Sequence, residues 1–194
     1  MGCIFSREAN ALSKDDFEYL ENNTQCNKAT IEEYYKGYIK ECPNGKIRKY
    51  QFLKMYKMLF PGGKPDLFSE LLFTSLEVKG IEALEFKDFL VIIDIVNGRT
   101  AEEKLKWVFK QYDISGQEAL TYGQIPKIME FIYSIINANG GNIIQPIETK
   151  VECLFGNIKG KFTKQLTMEE FINGCVEDEE LRQNLMPSVM CACF

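Results

Sequence analysis

The sequence of 194 residues contains no histidine. Histidine is the commonest general base and the commonest metal-binding side chain in proteins, so its absence excludes Cys–His chemistry and every other histidine-based catalytic motif. The chain also lacks a Gly-rich phosphate-binding loop and the nucleophile turn of the serine hydrolases. The sequence therefore predicts a protein that is not an enzyme.

An excess of positive charge is missing as well, because the net charge is −5, and this argues against a nucleic-acid partner. No apolar run reaches the ~18 residues that a membrane-spanning helix needs. The seven cysteines form no Cys-x-x-Cys pair and follow no signal peptide, which favours reduced thiols in the cytosol. Apolar residues at 45% and charged residues at 26% are typical of a soluble globular protein.

The sequence begins MGCIFS, which fits the N-myristoylation pattern with Gly2 as the acceptor and Ser6 at the preferred hydroxyl position. One myristoyl chain binds membranes only marginally, so a second anchor is expected. Acidic neighbours oppose the nearby Arg7 and Lys14, which leaves Cys3 as the predicted palmitoylation site. The predicted location is the cytoplasmic face of a membrane, with a pool in the cytosol. The alternative is an unmodified tail.

The sequence ends MPSVMCACF, and its last four residues fit the prenylation box with Cys191 as the acceptor. S-acylation of Cys191 or Cys193 is a second reading of the same residues. A flexible tail with two exposed thiols is a third. The sequence leaves these three alternatives open.

Apolar residues recur at helical spacing from Ala29 onward, whereas strand-like alternation is almost absent, so the predicted fold class is all-α. The helical segments form four helix–loop–helix units when each loop is aligned on its single apolar residue. These anchors are Ile47, Leu84, Leu120 and Leu166, spaced 37, 36 and 46 residues apart. In an EF-hand this residue joins two loops in a short two-stranded ribbon, so four units predict two pairs.

The boundary between the pairs is expected at residues 97–100. Asn97-Gly98 is suited to end one helix, while Thr100 and Glu103 form a capping box for the next. The predicted organisation is a lipidated N-terminal segment 1–27, an N-terminal EF-hand pair 28–98, a C-terminal pair 99–180 and a tail 181–194.

A calcium-binding loop needs oxygen ligands at places 1, 3, 5, 9 and 12, with glycine at place 6 for the sharp turn. The first loop, Lys40 to Gln51, keeps Gly45 at place 6 but offers no acidic ligand. The second, Glu77 to Asp88, carries Lys79 and Ile81 where oxygens are needed, and Glu82 stands in place of the glycine. Both loops are predicted to bind no calcium.

The third loop, Asp113 to Gln124, is the strongest remaining candidate for a metal site. Its weak candidate ligands are Asp113, Ser115, Gln117 and Thr121. It has a single carboxylate ligand, and Glu118 occupies the place that needs positive φ. The prediction is no calcium at signalling concentrations, with weak binding by this loop as the alternative.

The fourth loop, Lys159 to Glu170, keeps Glu170 at place 12 but puts positive charges around an ion. Lys159 and Lys161 replace two acidic ligands, and Lys164 replaces the glycine. The loop is predicted to bind no calcium. The expected cofactors are therefore none beyond covalent myristate.

The segments YYKGYIKECPNGKI, EKLKWVFKQYD and LTMEEFING, together with the N-terminal ALSKDDFEYLENNT, resemble the neuronal calcium sensor family, which includes recoverin, visinin and the guanylate cyclase-activating proteins. The resemblance covers about Ala11 to Leu185. It implies a lipid-anchored regulator that binds an amphipathic helix of a target in an apolar groove of the N-terminal half. The implied groove residues are Tyr34, Tyr35, Tyr38, Phe52, Tyr56, Phe60, Phe73, Phe86 and Leu90.

The chain departs from the family in its loops, because members normally keep two or three working calcium sites. The favoured hypothesis is a calcium-independent, membrane-anchored adaptor that binds an amphipathic helix. The alternative is a calcium sensor that regulates a guanylate cyclase, a receptor kinase or a channel through weak metal binding at the third loop.

Overall fold

The computed structural model describes residues 12–113, 116–159 and 165–186. The lipidation and prenylation sites predicted at Gly2, Cys3, Cys191 and Cys193 lie outside these ranges. The described residues form ten α-helices and two short strands. They are α1 Lys14–Asn23, α2 Lys28–Glu41, α3 Lys49–Leu59, α4 Pro65–Val78, α5 Phe86–Gly98, α6 Ala101–Tyr112, β1 Ala119–Thr121, α7 Ile125–Ala138, α8 Ile147–Lys159, β2 Gln165–Thr167, α9 Met168–Glu177 and α10 Glu179–Leu185.

The four predicted anchors pair the loops as expected. Ile47 N–H donates to the Leu84 carbonyl oxygen at 2.8 Å, and Leu84 N–H donates back at 2.9 Å. In the second pair, β1 and β2 run antiparallel with Leu120 opposite Leu166. All four side chains are at most 2% exposed. The fold is therefore all-α, with four EF-hand units in two pairs, as predicted.

Local sequence explains where several helices begin. The predicted capping box of α6 is present, since Thr100 Oγ1 accepts from Glu103 N–H and the Glu103 carboxylate accepts from Thr100 N–H. Ser13 and Asp16 form the same box at the start of α1. Such caps satisfy backbone donors that the first turn leaves unpaired.

The two EF-hand pairs pack against each other through α4 and α7. The rings of Phe68 and Phe131 stack with their centroids 5.6 Å apart. The Tyr56 hydroxyl donates to Asn139 Oδ1 at 3.2 Å, and Asn139 Nδ2 donates to the Val96 carbonyl oxygen at 3.2 Å. Asn139 thus links α3, α5 and the end of α7.

A partly buried ion pair fixes the end of α1 to the connection between the pairs. Arg99 Nε donates to Asp94 Oδ2 at 2.6 Å, and the Asp94 side chain is 5% exposed. Asp94 Oδ1 accepts from Gln25 N–H, and Arg99 donates to the Asn23 carbonyl oxygen. The turn between α1 and α2 is therefore held against residues 94–99.

Two predicted boundaries can be compared with the helices. The segment 1–27 contains α1, which buries Leu20 completely. The predicted start of the tail at residue 181 falls inside α10, whose Leu181 and Leu185 are each 1% exposed. The C-terminal pair thus packs chain beyond residue 180. Among the described residues no helix is both long enough and apolar enough to cross a bilayer.

Candidate functional site

The four interhelix loops share one hydrogen bond. In each, the side chain at place 12 accepts from the backbone N–H at place 9. Place 9 is the N-cap of the following helix in the first, second and fourth loops, and the last residue of β1 in the third. The pairs are Gln51 with Arg48 (2.9 Å), Asp88 with Glu85 (3.0 Å), Gln124 with Thr121 (2.9 Å) and Glu170 with Thr167 (3.1 Å). A neutral amide or a short carboxylate forms this bond as well as glutamate does. This hydrogen bond is therefore kept in loops whose ligand side chains carry too little negative charge for calcium.

The third loop keeps the shape of a calcium loop. The Asp113 carboxylate accepts from Gln117 N–H at 3.1 Å and from Glu118 N–H at 2.8 Å. Glu118 has φ of +53°, as predicted for place 6, and it is the only non-glycine residue of the described chain with positive φ. Gln124 Nε2 donates to the Tyr112 carbonyl oxygen at 3.3 Å. The loop is therefore closed by its own hydrogen bonds.

The described donors of the third loop carry less negative charge than a tight calcium site uses. Asp113 is the one carboxylate at its ligand places, and it already accepts two backbone N–H groups. The Gln124 amide carries no charge, and its oxygen also accepts from Thr121 Oγ1 at 2.9 Å. Ser115 lies outside the described residues. Tight calcium sites offset the dehydration of the ion with several carboxylates, and the described part of this loop does not supply them.

The first loop is closed by contacts within the protein, and it has no acidic side chain at a ligand place. Gly45 has φ of +69°, as its predicted role requires. Cys42, at place 3, is completely buried, and this burial raises the pKa of its thiol. Lys46 pairs with Glu85 of the second loop at 2.6 Å. The first loop thus contributes a core residue and an ion pair where a metal site would need ligands.

The second loop departs from the calcium-loop shape. The left-handed turn falls at Gly80, at place 4, with φ of +74°, and Glu82 at place 6 has no positive φ. At place 3, Lys79 Nζ donates to the Lys110 carbonyl oxygen at 3.2 Å and to Gln111 Oε1 at 3.0 Å. Burial lowers the pKa of Lys79. A lysine therefore caps the end of α6 from a place where calcium would require an oxygen.

In the fourth loop the structure describes Lys159, the last residue of α8, and Gln165 to Glu170, so the predicted positions Lys161 and Lys164 lie outside the described ranges. Glu170 also accepts from Thr167 Oγ1 at 3.0 Å. Across the described residues, no group of three or more cysteine, aspartate or glutamate side chains is arranged to hold a metal ion.

Most of the predicted groove residues lie in the core of the N-terminal half. Tyr34 and Tyr35 are half-buried, whereas the other seven are at most 7% exposed. Phe52 lies at the centre, with its ring centroid 5.6 Å from that of Tyr56 and 5.7 Å from that of Phe73. These side chains therefore pack together and do not line an open groove in this arrangement of helices.

An open apolar cleft of about 160 Å³ lies between α1, α4, α5 and α6. Its walls include Tyr19, Leu76, Ile81, Val91 and Trp107, and Tyr19 and Ile81 are among the exposed large apolar residues of the chain. The sequence did not predict this cleft. Helices from both EF-hand pairs form it, and the pattern of each single loop does not show how the pairs pack together.

Two buried lysines were also missed. Lys104 is 2% exposed, and its Nζ donates to the Leu185 carbonyl oxygen at 2.8 Å, which fixes the end of α10 to α6. Burial lowers the pKa of Lys104 to about 8. Lys150, also 2% exposed, forms ion pairs with Asp178 and Glu180. Both lysines hold α10, although residues from 181 onward were predicted to be a tail.

No family model matches the sequence. The chain is similar to several known proteins over most of its length. S-modulin of Aquarana catesbeiana is 30% identical over 178 residues, which cover 90% of this chain and 88% of that protein. Human recoverin is 26% identical over 178 residues (90% and 89%), and neuronal calcium sensor 1 of Lymnaea stagnalis is 29% identical over 184 residues (92% and 95%). The similarity includes both EF-hand pairs.

Proposed function

This chain belongs to the neuronal calcium sensor family, and on that basis we propose that it is a lipid-anchored adaptor that binds an amphipathic helix of a membrane-associated target without calcium control. One observation carries the loss of calcium control. In all four loops the side chain at place 12 accepts a hydrogen bond from the backbone N–H at place 9, and two of the four side chains are neutral amides. Hydrogen bonds within the protein thus close the four loops without a bound ion.

The charge at the ligand places supports this proposal. A divalent ion gives up strongly bound water only when several anionic oxygens replace it. The first loop has no acidic ligand, and the second places Lys79 beside α6. The third has Asp113 alone. A protein whose loops are closed without an ion stays in one conformation when calcium rises.

The proposed anchor is a myristoyl group on Gly2 together with palmitate on Cys3. Two acyl chains bind a bilayer stably, whereas one does not. This places the protein on the cytoplasmic face of a membrane, where a guanylate cyclase, a receptor kinase or a channel would present the target helix.

The proposed target site is the predicted groove set of the N-terminal half, which consists of eight aromatic residues and Leu90. Because seven of its nine residues are buried, helix binding there requires α3, α4 and α5 to move apart. The buried hydroxyl of Tyr38 has no hydrogen-bond partner among the described residues, which destabilises the closed arrangement and supports opening in this region. The target helix would supply the apolar contacts that the separated helices lose.

A second candidate function, calcium sensing through the third loop, is favoured by the geometry of Asp113 and Glu118. Both hold the positions that an ion-binding loop requires, although the donors around them are mostly neutral. In this case the third loop would bind weakly and the other loops would not contribute.

Calorimetric titration of the purified protein with calcium separates the two functions. The adaptor shows no stoichiometric break below about 10 µM calcium, which is the range of sensor EF-hands. Affinity capture with the acylated protein, with and without chelator, extends the test to the target. Equal recovery of one partner in both conditions supports the adaptor, while loss of that partner on chelation contradicts it.

A further inference from the structure

Four of the 14 glycines of this chain directly follow an asparagine. The pairs are Asn44-Gly45, Asn97-Gly98, Asn139-Gly140 and Asn173-Gly174. In such a pair the backbone nitrogen of the glycine is able to attack Cγ of the asparagine side chain, because glycine has no β-carbon to obstruct the approach. The reaction takes place between neighbouring residues, so the local structure of each pair decides how fast it is.

Two of the four pairs lie inside helices, where this attack is hindered. Asn97-Gly98 ends α5, and Asn173-Gly174 lies within α9. A glycine nitrogen inside a helix donates to the carbonyl oxygen four residues earlier, and its backbone angles are fixed. Asn97 Nδ2 also donates to the Ile93 carbonyl oxygen at 2.7 Å, which turns the side-chain amide back along the helix. Each helix must therefore open before its asparagine reacts.

The third pair is held by contacts between the two halves of the protein. Asn139 Oδ1 accepts from the Tyr56 hydroxyl at 3.2 Å, and Asn139 Nδ2 donates to the Val96 carbonyl oxygen at 3.2 Å. Both partners belong to the N-terminal EF-hand pair, and the Asn139 side chain is half-buried between them. The amide must leave both partners before Cγ is available to the nitrogen of Gly140.

Asn44 has none of these restraints. It is exposed in the turn between α2 and α3, and its Oδ1 accepts from Lys46 N–H at 3.3 Å. The ring closed by this hydrogen bond contains the Gly45 nitrogen, so the side chain is folded towards the group that attacks it. When Cγ is attacked, negative charge develops on Oδ1, and the Lys46 N–H stabilises that charge.

One hydrogen bond opposes the reaction at this place. Gly45 N–H donates to the Cys42 carbonyl oxygen at 2.9 Å, much as Gly140 N–H donates to the Asn137 carbonyl oxygen at 3.1 Å. The two pairs therefore differ in the asparagine side chain and not in the glycine. Opening a single exposed turn costs less free energy than separating contacts between the two EF-hand pairs.

We propose that Asn44 is a site of spontaneous deamidation, and that its isoaspartate product weakens the pairing of the first and second loops. The Gly45 nitrogen loses its proton to solvent and bonds to Asn44 Cγ, and ammonia leaves, which closes a succinimide ring. Water then opens the ring. Hydrolysis of the bond from Cγ to the nitrogen gives aspartate, and hydrolysis of the bond from the main-chain carbonyl carbon to the nitrogen gives isoaspartate. Water is the only co-reactant.

The isoaspartate product lengthens the backbone by one carbon immediately before Gly45. Gly45 has φ of +69°, and two residues later Ile47 exchanges two hydrogen bonds with Leu84, at 2.8 and 2.9 Å. An added backbone atom so close to Ile47 displaces it relative to Leu84, so these two bonds weaken. Strands β1 and β2 of the second pair do not contact the first loop through this bridge and keep their register. This inference goes beyond the proposed function, because it concerns the covalent stability of the first loop.

Ageing of the full-length protein in mildly alkaline buffer tests the proposal. Tryptic peptides 41–46, 88–99, 128–150 and 165–182 each contain one of the four pairs, and mass spectrometry follows the conversion of amide to acid over time. In denaturant the four sites are expected to react at similar rates, because glycine follows each of them. In the folded protein Asn44 is expected to react at least about tenfold faster than each of the other three asparagines. Equal rates at the four sites, or a faster rate at another pair, overturns the proposal.

Two variants locate the reaction. Asn44→Gln is expected to abolish the conversion in peptide 41–46, because the longer side chain must close a larger ring. Asn173→Gln makes the same exchange at an exposed residue of α9 and is the matched control, which is expected to leave the rate at Asn44 unchanged. Conversion at Asn44 that slows equally in the control variant contradicts a local reaction.

Hydrogen exchange measures the effect on the loops. In aged protein, the Ile47 and Leu84 N–H groups are expected to exchange at least about fivefold faster than in fresh protein, while those of β1 and β2 stay unchanged. Aged Asn44→Gln is expected to show no change at either bridge residue. Methylation by an isoaspartate-specific carboxyl methyltransferase confirms the product. Unchanged exchange at Ile47 in protein that contains isoaspartate, or equal acceleration in both EF-hand pairs, overturns the proposed weakening.

Discussion

Gly63 lies directly against Ala138: a β-carbon on Gly63 would come within 1.5 Å of the Ala138 carbonyl oxygen. The next residue reinforces the contact, because Lys64 N–H donates to the Asn137 carbonyl oxygen at 3.0 Å. Gly63 belongs to the N-terminal EF-hand pair and Ala138 ends α7 of the C-terminal pair. The close packing of the two halves thus depends on a residue without a side chain.

We predict that Gly63→Ala lowers the free energy of unfolding by about 1–3 kcal/mol, since the clash is with backbone and one segment must move away. Urea unfolding followed by circular dichroism measures the change. Gly62→Ala is the matched control, because nothing lies within 4 Å of its added β-carbon and its φ is not in the left-handed region. Equal effects at the two glycines would show that the halves are not packed as described.

The left-handed backbone of Glu118 gives a second prediction. A residue with a β-carbon at positive φ costs about 1–2 kcal/mol, and glycine removes this cost while losing part of the gain to chain entropy. Glu118→Gly is therefore expected to stabilise the protein by about 0.5–1 kcal/mol. Thermal unfolding measures it.

The same substitution at place 6 of the second loop is the control. Glu82 has no positive φ, so Glu82→Gly is expected to destabilise by about 0.4–1 kcal/mol through the unfolded state alone. If the free energy of unfolding rises for Glu118→Gly and falls for Glu82→Gly, the effect comes from backbone strain and not from loss of a glutamate side chain. Matching signs would mean that the third loop does not need the left-handed turn.

The spacing of the four anchors predicted the fold from the sequence. Ile47, Leu84, Leu120 and Leu166 were identified by spacing, and all four form the predicted pairs. It succeeded because each anchor is a single apolar residue in a polar loop. The left-handed turn at Gly80 was not predicted, because helix α4 continues to Val78 and its own C-terminal turn then sets where the glycine falls.

Features formed by contacts between segments that are distant in the sequence could not be predicted from the sequence pattern. Lys104 and Lys150 are charged residues in polar helical stretches, so nothing in the local pattern indicates that their partners bury them. A charge count along the whole chain, in contrast, does show an excess of positive charge in residues 34–64, which contain eight basic residues and one acidic residue.

The depressed pKa of Lys104 predicts a rise in stability with pH. The folded protein releases the Lys104 proton near pH 8, whereas the unfolded chain retains it up to the ordinary lysine pKa of 10.5. Between these values the unfolded state binds more protons, so unfolding becomes less favourable as pH increases. The expected gain from this residue is about 2 kcal/mol between pH 7 and pH 10.

Lys104→Met isolates this contribution, because methionine fills similar space without a titrating group. Unfolding free energies of both proteins are compared at each pH, since buried tyrosines and Cys175 have raised pKa values and affect both proteins alike. The stability of the original protein relative to the variant should rise between pH 8 and pH 10. A constant difference would show that Lys104 keeps its charge in the folded protein, held by the Leu185 carbonyl oxygen.

Restoring charge to the third loop tests why calcium is excluded. Gln117→Asp, Glu118→Gly and Gln124→Glu together raise the carboxylate ligands of this loop from one to three and supply the glycine at place 6. The new glutamate is able to keep the hydrogen bond from Thr121 N–H, as Glu170 does with Thr167 N–H. The triple variant is expected to bind calcium with a Kd of about 10 µM or tighter by calorimetry.

The control is Gln51→Glu in the first loop, which makes the same change from amide to carboxylate at place 12 and keeps the bond to Arg48 N–H. No other acidic ligand is present there, so one added charge is expected to produce no calcium heat. If the triple variant also gives no heat of calcium binding, a shortage of carboxylates does not explain the exclusion of calcium. The hydrogen bonds that close the loop, from Gln117 and Glu118 to Asp113, would then be the barrier, because an ion would have to compete with them for the same oxygens.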